Sequence, residues 1–349
     1  MNISNKQAWT GPFVWNGAQL AQAADWIVEL SAEHVQNIHA GIEAAIASGK
    51  AMAELDQSDF PFGDFGNRLT AVQQQLLSGR GFVLIRGLPA SDWTDKQLMM
   101  AYWGIGRWIG TPVPQNAKAH LLGHVIDQRK EQSGNTRIYQ TNQAQPFHSD
   151  SCDIVGLLCL RNAKQGGESA VASSAAIHNA LLQSDPEALD TLYGTFLCDR
   201  YGETPAGKHP FYPVNVFNKI DEQLVCCGMD PDIRSAQRLD EVAPLTEQQL
   251  HALDSFQTHA QQLALPMSLQ RGDIQLANNL VVVHARASFV DHEELDERRH
   301  LIRLWLSAAN GRRLPAFLSE RWGTIEVGAV RGGIKVPGAT PTVQMSPNS

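Results

Sequence analysis

Two histidines and one aspartate have the types and spacing that ligands of a single metal ion require. The segment FHSDS places His148 and Asp150 two residues apart, and residues i and i+2 at the end of a strand project from the same face. A third ligand must come from elsewhere, and His284, at the end of the apolar run LVVVH, is the candidate. Two imidazoles and one carboxylate on one face of an octahedron leave three adjacent positions open, which is typical of non-haem Fe(II) oxygenases. The pattern therefore predicts a ferrous iron site.

The spacing His-x-Asp/Glu does not establish such a site alone. His292 and Glu294 have the same spacing, but they lie in the charged run DHEELDERR, where a solvent-exposed loop is expected. Taken alone, His148 and Asp150 also fit a hydrogen-bonded polar pair without a metal. The interpretation depends on the residues that accompany them.

Cationic side chains follow the third ligand in the segment RRHLIRLWL. If this segment is a strand, Arg299 and Arg303 share one face. A guanidinium inside a protein is costly unless it meets an anion, so an inward pair predicts a bound carboxylate or sulfonate. In the alternative, the arginines face solvent while Leu304 and Leu306 face inward. Alternation does not choose between these faces, and the orientation of Arg286 is open in the same way.

The elements that must position these residues are mostly short strands separated by turn-forming residues. The strands are expected at 153–160, 169–173, 211–217, 224–227, 274–277, 280–284 and 301–307. A short apolar run between glycines, GFVLIRG, predicts one more buried strand.

Helical spacing predicts two helices within residues 17–56, broken near Ser31, and two more over about 68–77 and 95–108. A further helix begins at the capping residues Thr246 and Gln249 and ends before Pro266. The last dozen residues are expected to form a frayed tail. Together these elements predict a mainly β fold with flanking helices, a jelly roll of the double-stranded β-helix type.

The chain is expected to divide into three parts. Residues 1–78 would form an N-terminal helical extension packed on the core. Residues 79–310 would form the double-stranded β-helix catalytic domain, with a helical insertion near 246–264. Residues 311–349 would form a C-terminal segment and tail.

Composition excludes several classes of partner. The net charge of −8, with no basic patch, argues against nucleic acid. Five cysteines at irregular spacing predict free thiols in a reducing compartment. The N-terminus lacks a signal-peptide pattern, and no apolar run approaches the roughly 20 residues of a membrane span. A cytoplasmic location without membrane attachment is therefore expected.

From GFVLIRG to LWLS, about two-thirds of its length, the sequence resembles the taurine/2-oxoglutarate dioxygenase family, which has a clavaminate synthase-like fold and includes the 2,4-D dioxygenases. The motifs that carry the resemblance are FHSD, GGES, the pair NN before VVVH, and RRHLIRLWL. The resemblance implies Fe(II) as cofactor and 2-oxoglutarate and O2 as co-substrates. It further implies hydroxylation or oxidative cleavage of a small organic substrate, with release of succinate and CO2.

The resemblance also implies roles for individual residues. The implied iron ligands are His148, Asp150 and His284. Arg299 and Ser169 would hold the distal carboxylate of 2-oxoglutarate, and Arg303 would bind an anionic group of the substrate. Because similar enzymes are often dimers or tetramers, a homo-oligomer is expected.

Two other functions fit the same barrel. One is a cupin-type metalloenzyme that does not use 2-oxoglutarate and has no need of an arginine at position 299. The other is a non-catalytic binding protein, which would be expected to lose a metal ligand.

Overall fold

The computed structural model describes residues 7–129, 137–334 and 338–347. Its α-helices are α1 (Gly17–Leu20), α2 (Ala32–Ala47), α3 (Gly63–Ser78), α4 (Asp95–Ile109), α5 (Ser174–Ser184), α6 (Pro186–Leu192), α7 (Asp230–Ala236), α8 (Glu247–Leu263) and α9 (Ser319–Trp322). Short 3₁₀ turns occupy Met52–Glu54, Gln57–Asp59, Ile138–Gln140 and Ala316–Leu318.

The strands of the first half of the fold are β1 (Ile27–Glu29), β2 (Phe82–Arg86), β3 (Thr111–Pro112), β4 (Leu122–Val125), β5 (Gln145–His148), β6 (Ile154–Arg161), β7 (Gln165–Gly166), β8 (Ser169–Ser173) and β9 (Thr195–Asp199). The remaining strands are β10 (Phe211–Asn215), β11 (Phe217–Ile220), β12 (Gln223–Cys226), β13 (Leu265–Met267), β14 (Ile274–Asn278), β15 (Val282–Arg286), β16 (Phe289–Val290) and β17 (His300–Ser307).

The larger sheet has the strand order β1-β2-β14-β6-β17-β3, and β4 also pairs with β17. Only β1 and β2 run parallel in the described part of this sheet; the other pairs are antiparallel. Its central strands are buried on both faces. In β2, Val83 and Ile85 pack on the helical side, whereas Phe82 and Leu84 pack on the opposite side. Burial on both faces explains why this strand is a continuous apolar run.

A smaller antiparallel sheet has the order β13-β8-β15-β5. The two sheets share one apolar cluster, to which Leu84 and Val155 of the larger sheet and Val171 and Val282 of the smaller sheet contribute. Three two-stranded pairs, β9 with β10, β11 with β12 and β7 with β16, complete the strands. The predicted architecture of sheets with flanking helices is confirmed.

The helices pack in two groups. Helices α2, α3 and α4 cover the outer face of the larger sheet, where Ile302 and Leu304 of β17 join their apolar side chains in one cluster. Helices α5, α6 and α8 pack together around a second cluster that includes Phe256. The predicted capping box of α8 is confirmed, because Thr246 accepts a hydrogen bond from the amide of Gln249.

Some predicted elements differ from the structure. The first of the two helices expected within residues 17–56 is reduced to the short helix α1. Part of the predicted helix, Ile27–Glu29, instead forms β1, because it pairs with β2, with Ile27 opposite Leu84. Helices α5, α6 and α7 lie where mainly strands were expected. The predicted frayed tail is wrong for residues 338–347, because Thr342 pairs with His120 through the backbone.

Two findings concern the compartment and membrane predictions. All five cysteines are buried free thiols. Over the described ranges, no helix combines the length and apolar character needed to span a bilayer.

Candidate active site

The structure brings the three predicted metal ligands together. His148 is the last residue of β5, and His284 lies directly opposite it on the antiparallel strand β15. Asp150 follows two residues after His148. One ligand atom from each of the three side chains lies within 4.8 Å of the other two, and the two imidazole centres are 4.2 Å apart. Two ring nitrogens and one carboxylate oxygen are a donor set that suits Fe(II), so these residues could hold that ion.

Hydrogen bonds orient the two ligands of the FHSDS segment. His148 Nδ1 lies 2.9 Å from the carbonyl oxygen of Pro146. A carbonyl only accepts, so Nδ1 carries the proton and Nε2 keeps its lone pair for a metal. The amide nitrogen of Gln145 donates to that lone pair at 2.9 Å and would turn aside when an ion binds.

Asp150 is held on both sides of its carboxylate. Trp305 Nε1 donates to Oδ2 at 2.9 Å, and Arg303 Nη1 lies 3.5 Å from Oδ1. The Asp150 backbone amide donates to the side chain of Asn279 at 3.1 Å. This Asn belongs to the NN pair of the sequence, and its role here is to fix the loop that carries the ligand.

Burial and neighbouring charges keep His284 and Asp150 in the protonation states that a metal needs. Burial lowers the pKa of His284 to about 3, so its imidazole is neutral. Burial alone would raise the pKa of Asp150, but Arg303 and the two imidazoles hold that pKa below its usual value. A neutral imidazole and an ionised carboxylate are the metal-binding forms.

One side of the centre faces a partly open cavity between the two sheets, whose empty volume, including its mouth, is about 450 Å³. His148, His284, Ser169, Arg286 and Arg299 all line it. The structure therefore places both predicted 2-oxoglutarate residues in one cavity with two of the metal ligands, and it resolves the orientation of Arg286, which faces inward.

Arg299 reaches this cavity past the two glycines of the GGES motif. Gly167 has a φ of +78°, and a Cβ there would lie 2.9 Å from Arg299 Nε. Glycine is therefore required both for the turn and for the passage of the guanidinium. Arg299 Nη2 donates to the Gly167 carbonyl at 3.2 Å. Burial lowers the pKa of Arg299 to about 10, and this effect outweighs the opposing effects of Cys159, Asp291 and Glu168.

The other side of the centre opens into a second cavity whose empty volume, including its mouth, is about 650 Å³. Arg303 lines it between the rings of Tyr139 and Trp305, with its guanidinium carbon 4.7 and 4.6 Å from their centres. Arg303 Nε donates to Gln115 at 2.8 Å. Leu304 packs on the helical side of the sheet. Of the two orientations considered for this strand, the structure therefore shows the one in which Arg303 points into the protein and toward the cavity.

Sequence reasoning missed several charged residues of this second cavity, among them Arg137, Asp232 and Arg321. Burial raises the pKa of Asp232, while Arg137 and Arg321 act in the opposite direction. Arg137 also pairs with Glu203 at 2.6 Å. These residues come from a loop, from α7 and from the C-terminal segment, and no local periodicity marks them.

Comparison with known proteins identifies the family. The profile of "Taurine catabolism dioxygenase TauD, TfdA family" matches residues 48–305. The chain belongs to this family. The predicted resemblance is thereby confirmed, together with the enzyme class, an Fe(II)- and 2-oxoglutarate-dependent dioxygenase.

Two known proteins are similar to this chain over most of their length. FR-33289 synthase of Streptomyces rubellomurinus is 34% identical over 325 residues, covering 91% of this chain and 96% of that protein. Taurine hydroxylase-like protein SAT17 of Stachybotrys chartarum is 29% identical over 306 residues, covering 83% of this chain and 77% of that protein.

Solved structures share the fold at low sequence identity. Asparagine oxygenase in complex with Fe(II), 2S,3S-3-hydroxyasparagine and succinate superposes with a TM-score of 0.63 and 16% identity, over 81% of this chain and 93% of that chain. The non-haem iron oxygenase OrfP in complex with Fe and alpha-ketoglutaric acid gives a TM-score of 0.59 at 14% identity, over 80% of this chain and 93% of that chain.

Proposed function

We propose that His148, Asp150 and His284 hold Fe(II) in an enzyme that couples oxidation of 2-oxoglutarate to hydroxylation of a small anionic substrate. The observation that carries the proposal is the convergence of these three side chains within 4.8 Å, at a point flanked by two adjoining cavities that share His148 and Arg303 in their walls. Bound iron would supply oxygen activation, so that 2-oxoglutarate, O2 and a substrate C–H bond give succinate, CO2 and a hydroxylated product.

The co-substrate would occupy the cavity of about 450 Å³. Its oxo-acid end would lie at the histidines and its distal carboxylate would meet Arg299. Arg299 forms no ion pair with any described residue, so its charge is available to a ligand. Ser169 lines the same cavity and offers a hydroxyl donor.

The primary substrate would enter the larger cavity and present an anionic group to Arg303. Gln115 fixes the guanidinium through Nε, and the flanking rings of Tyr139 and Trp305 restrict its position. Among the described residues, the Arg303 side chain donates through Nε to Gln115 and through Nη1 to Asp150, which leaves Nη2 for the substrate. Relatives whose names refer to taurine and to hydroxylated amino acids support a small, charged substrate. Oxidative cleavage through a hydroxylated carbon would use the same arrangement.

We also propose that the strands of the two sheets that lie within residues 79–310 form a double-stranded β-helix, the catalytic domain. In this division, residues 1–78 are an N-terminal helical extension packed on the core, α8 lies in an insertion near 246–264, and residues 311–349 are a C-terminal segment and tail. The shared apolar cluster of the two sheets and the likeness to iron oxygenase structures support this arrangement.

Succinate formation tests the metal and co-substrate assignments. His148→Ala and Asp150→Ala should each abolish it, because the donor set would lose one of its three members. His292→Ala is the matched control, since His292 belongs to the other His-x-Glu pair and is partly exposed; its activity should equal that of the wild type. Arg299→Gln should raise the KM for 2-oxoglutarate by roughly 10-fold or more. Full turnover by Asp150→Ala, or product formation without 2-oxoglutarate, would overturn the proposal.

A further inference from the structure

A second buried guanidinium lies in the co-substrate cavity with most of its donors unused. Arg286 is 6% exposed. Its Nη2 donates to the carbonyl oxygens of Thr141, at 3.0 Å, and Gln143. Nε and Nη1 are buried without a hydrogen-bond partner among the described residues. These two nitrogens carry three N–H groups, and leaving buried charged donors unpaired is unfavourable unless a ligand completes them.

Strand register places Arg286 beside the predicted co-substrate residues. In the pairing of β15 with β8, Arg286 lies directly opposite Ser169, and His284 lies opposite Val171. Because residues i and i+2 of a strand share a face, Arg286 lies on the same side of β15 as the metal ligand His284. The position follows from backbone pairing and does not depend on one rotamer.

Arg286 and Arg299 converge from different strands. Both guanidinium groups lie against the ring of Phe289, with their central carbons 4.9 and 5.4 Å from its centre. Neither forms an ion pair with a carboxylate of the described chain, although most buried arginines in proteins are paired. Two unpaired guanidinium groups in one cavity therefore point to an anion bound between them.

We infer that Arg286 is a second cationic contact for the distal carboxylate of the 2-oxo acid, facing it together with Arg299 and Ser169. This inference rests on the proposed function, because it assumes that 2-oxoglutarate occupies the cavity. It adds a specificity role: two guanidinium groups select a dicarboxylic 2-oxo acid, since a monocarboxylic acid would leave both charges buried and unpaired.

Arg286 also holds the backbone of residues 141–143, so a structural role must be separated from a co-substrate role. Two 2-oxo acids of equal chain length make this separation. 2-Oxoglutarate has a distal carboxylate, and 2-oxopentanoate has a methyl group in its place. A structural defect would weaken binding of both acids, whereas loss of a carboxylate contact would weaken binding of 2-oxoglutarate alone.

The experiment measures binding of each acid by calorimetry to the Co(II)-loaded full-length protein without O2. We expect Arg286→Gln to weaken 2-oxoglutarate binding by roughly 10- to 150-fold, the range for a hydrogen bond to a charged group, while 2-oxopentanoate binding changes by less than about 2-fold. Arg286→Lys retains a cation, so this variant should keep more of the preference for 2-oxoglutarate over 2-oxopentanoate than Arg286→Gln does. Equal weakening of both acids, or no weakening of either, would overturn the inference.

Arg299→Gln, measured in parallel, distinguishes this inference from the proposed function. If the wild type binds no 2-oxoglutarate, or if Arg299→Gln binds it as well as the wild type, the proposed co-substrate site is wrong. If Arg299→Gln loses affinity and Arg286→Gln does not, the site stands and only the role of Arg286 is rejected.

Discussion

The indole of Trp305 offers a direct test of how the metal carboxylate is held. Trp305 Nε1 donates to Asp150 Oδ2 at 2.9 Å; the indole is buried, and the Asp150 side chain is 9% exposed. Replacing Trp305 with Phe keeps an aromatic face for Arg303 but removes the N–H donor. The carboxylate would then be free to rotate away from the direction in which it meets a metal ion.

The magnitude follows from the charge on the acceptor. A hydrogen bond to an ionised, buried group contributes about 1.5–3 kcal/mol, which corresponds to roughly a 10- to 150-fold change in an equilibrium constant. Loss of an outer-shell contact to a metal ligand typically weakens metal affinity by about 10- to 100-fold. Both ranges predict that Trp305→Phe weakens the affinity for the metal ion by at least about 10-fold.

A second tryptophan provides a matched control. Trp103 in α4 is fully buried, and its Nε1 has no hydrogen-bond partner within the described residues. Trp103→Phe therefore removes a similar volume but no hydrogen bond, so metal affinity should remain that of the wild type. Competition with a chelating dye under anaerobic conditions measures both variants. Equal Co(II) affinities for Trp305→Phe and Trp103→Phe would refute the reasoning.

Two further predictions concern stability. Arg331 and Asp153 form an ion pair at 2.7 Å in which each side chain is 1% exposed. Arg331→Met should reduce the free energy of unfolding by roughly 3–5 kcal/mol, because it leaves the Asp153 carboxylate buried without its partner. The double variant Arg331→Met/Asp153→Leu should be less destabilised than Arg331→Met, because it removes that carboxylate as well. In urea titrations, additive losses would contradict the pairing. Asp199 accepts hydrogen bonds from Arg238 and Ser235, which hold its pKa below the usual value against the opposing effect of burial. Its ionised form therefore stabilises the fold above its unfolded pKa, and this contribution is lost as pH falls through the lower folded pKa. Asp199→Asn should reduce the free energy of unfolding by roughly 1.5–3 kcal/mol at pH 7. The difference in unfolding free energy between this variant and the wild type should become smaller below about pH 4, where Asp199 begins to be protonated. A difference that stays constant at acidic pH would show that the ionised carboxylate is not its cause.

Sequence patterns predicted the parts of the site that local geometry determines. The two-residue spacing of His148 and Asp150 placed them on one side of a strand end, and the capping residues marked the start of α8. Strand Ser169–Ser173 has the predicted bounds. These features depend on neighbours in the chain, so a short segment contains enough information to predict them.

Other features depend on tertiary packing and could not be predicted locally. In β17 both faces are buried, with Leu304 against the helices and Arg303 toward the cavity, so hydrophobicity did not indicate which face contains the arginines. β1 forms a strand because its backbone pairs with that of β2. Asp232 and Arg321 reach the cavity from elements far apart in sequence, and no spacing relates them.

The direct opposition of His148 and His284 makes the ligand set a reporter of how the chain assembles. The two strands are brought together across a long intervening segment, so their pairing closes a large loop, which carries an entropic cost. A slip of one residue would turn one imidazole to the opposite face of the sheet. Recovery of Co(II) affinity during refolding therefore marks the moment at which β5 and β15 acquire their native register.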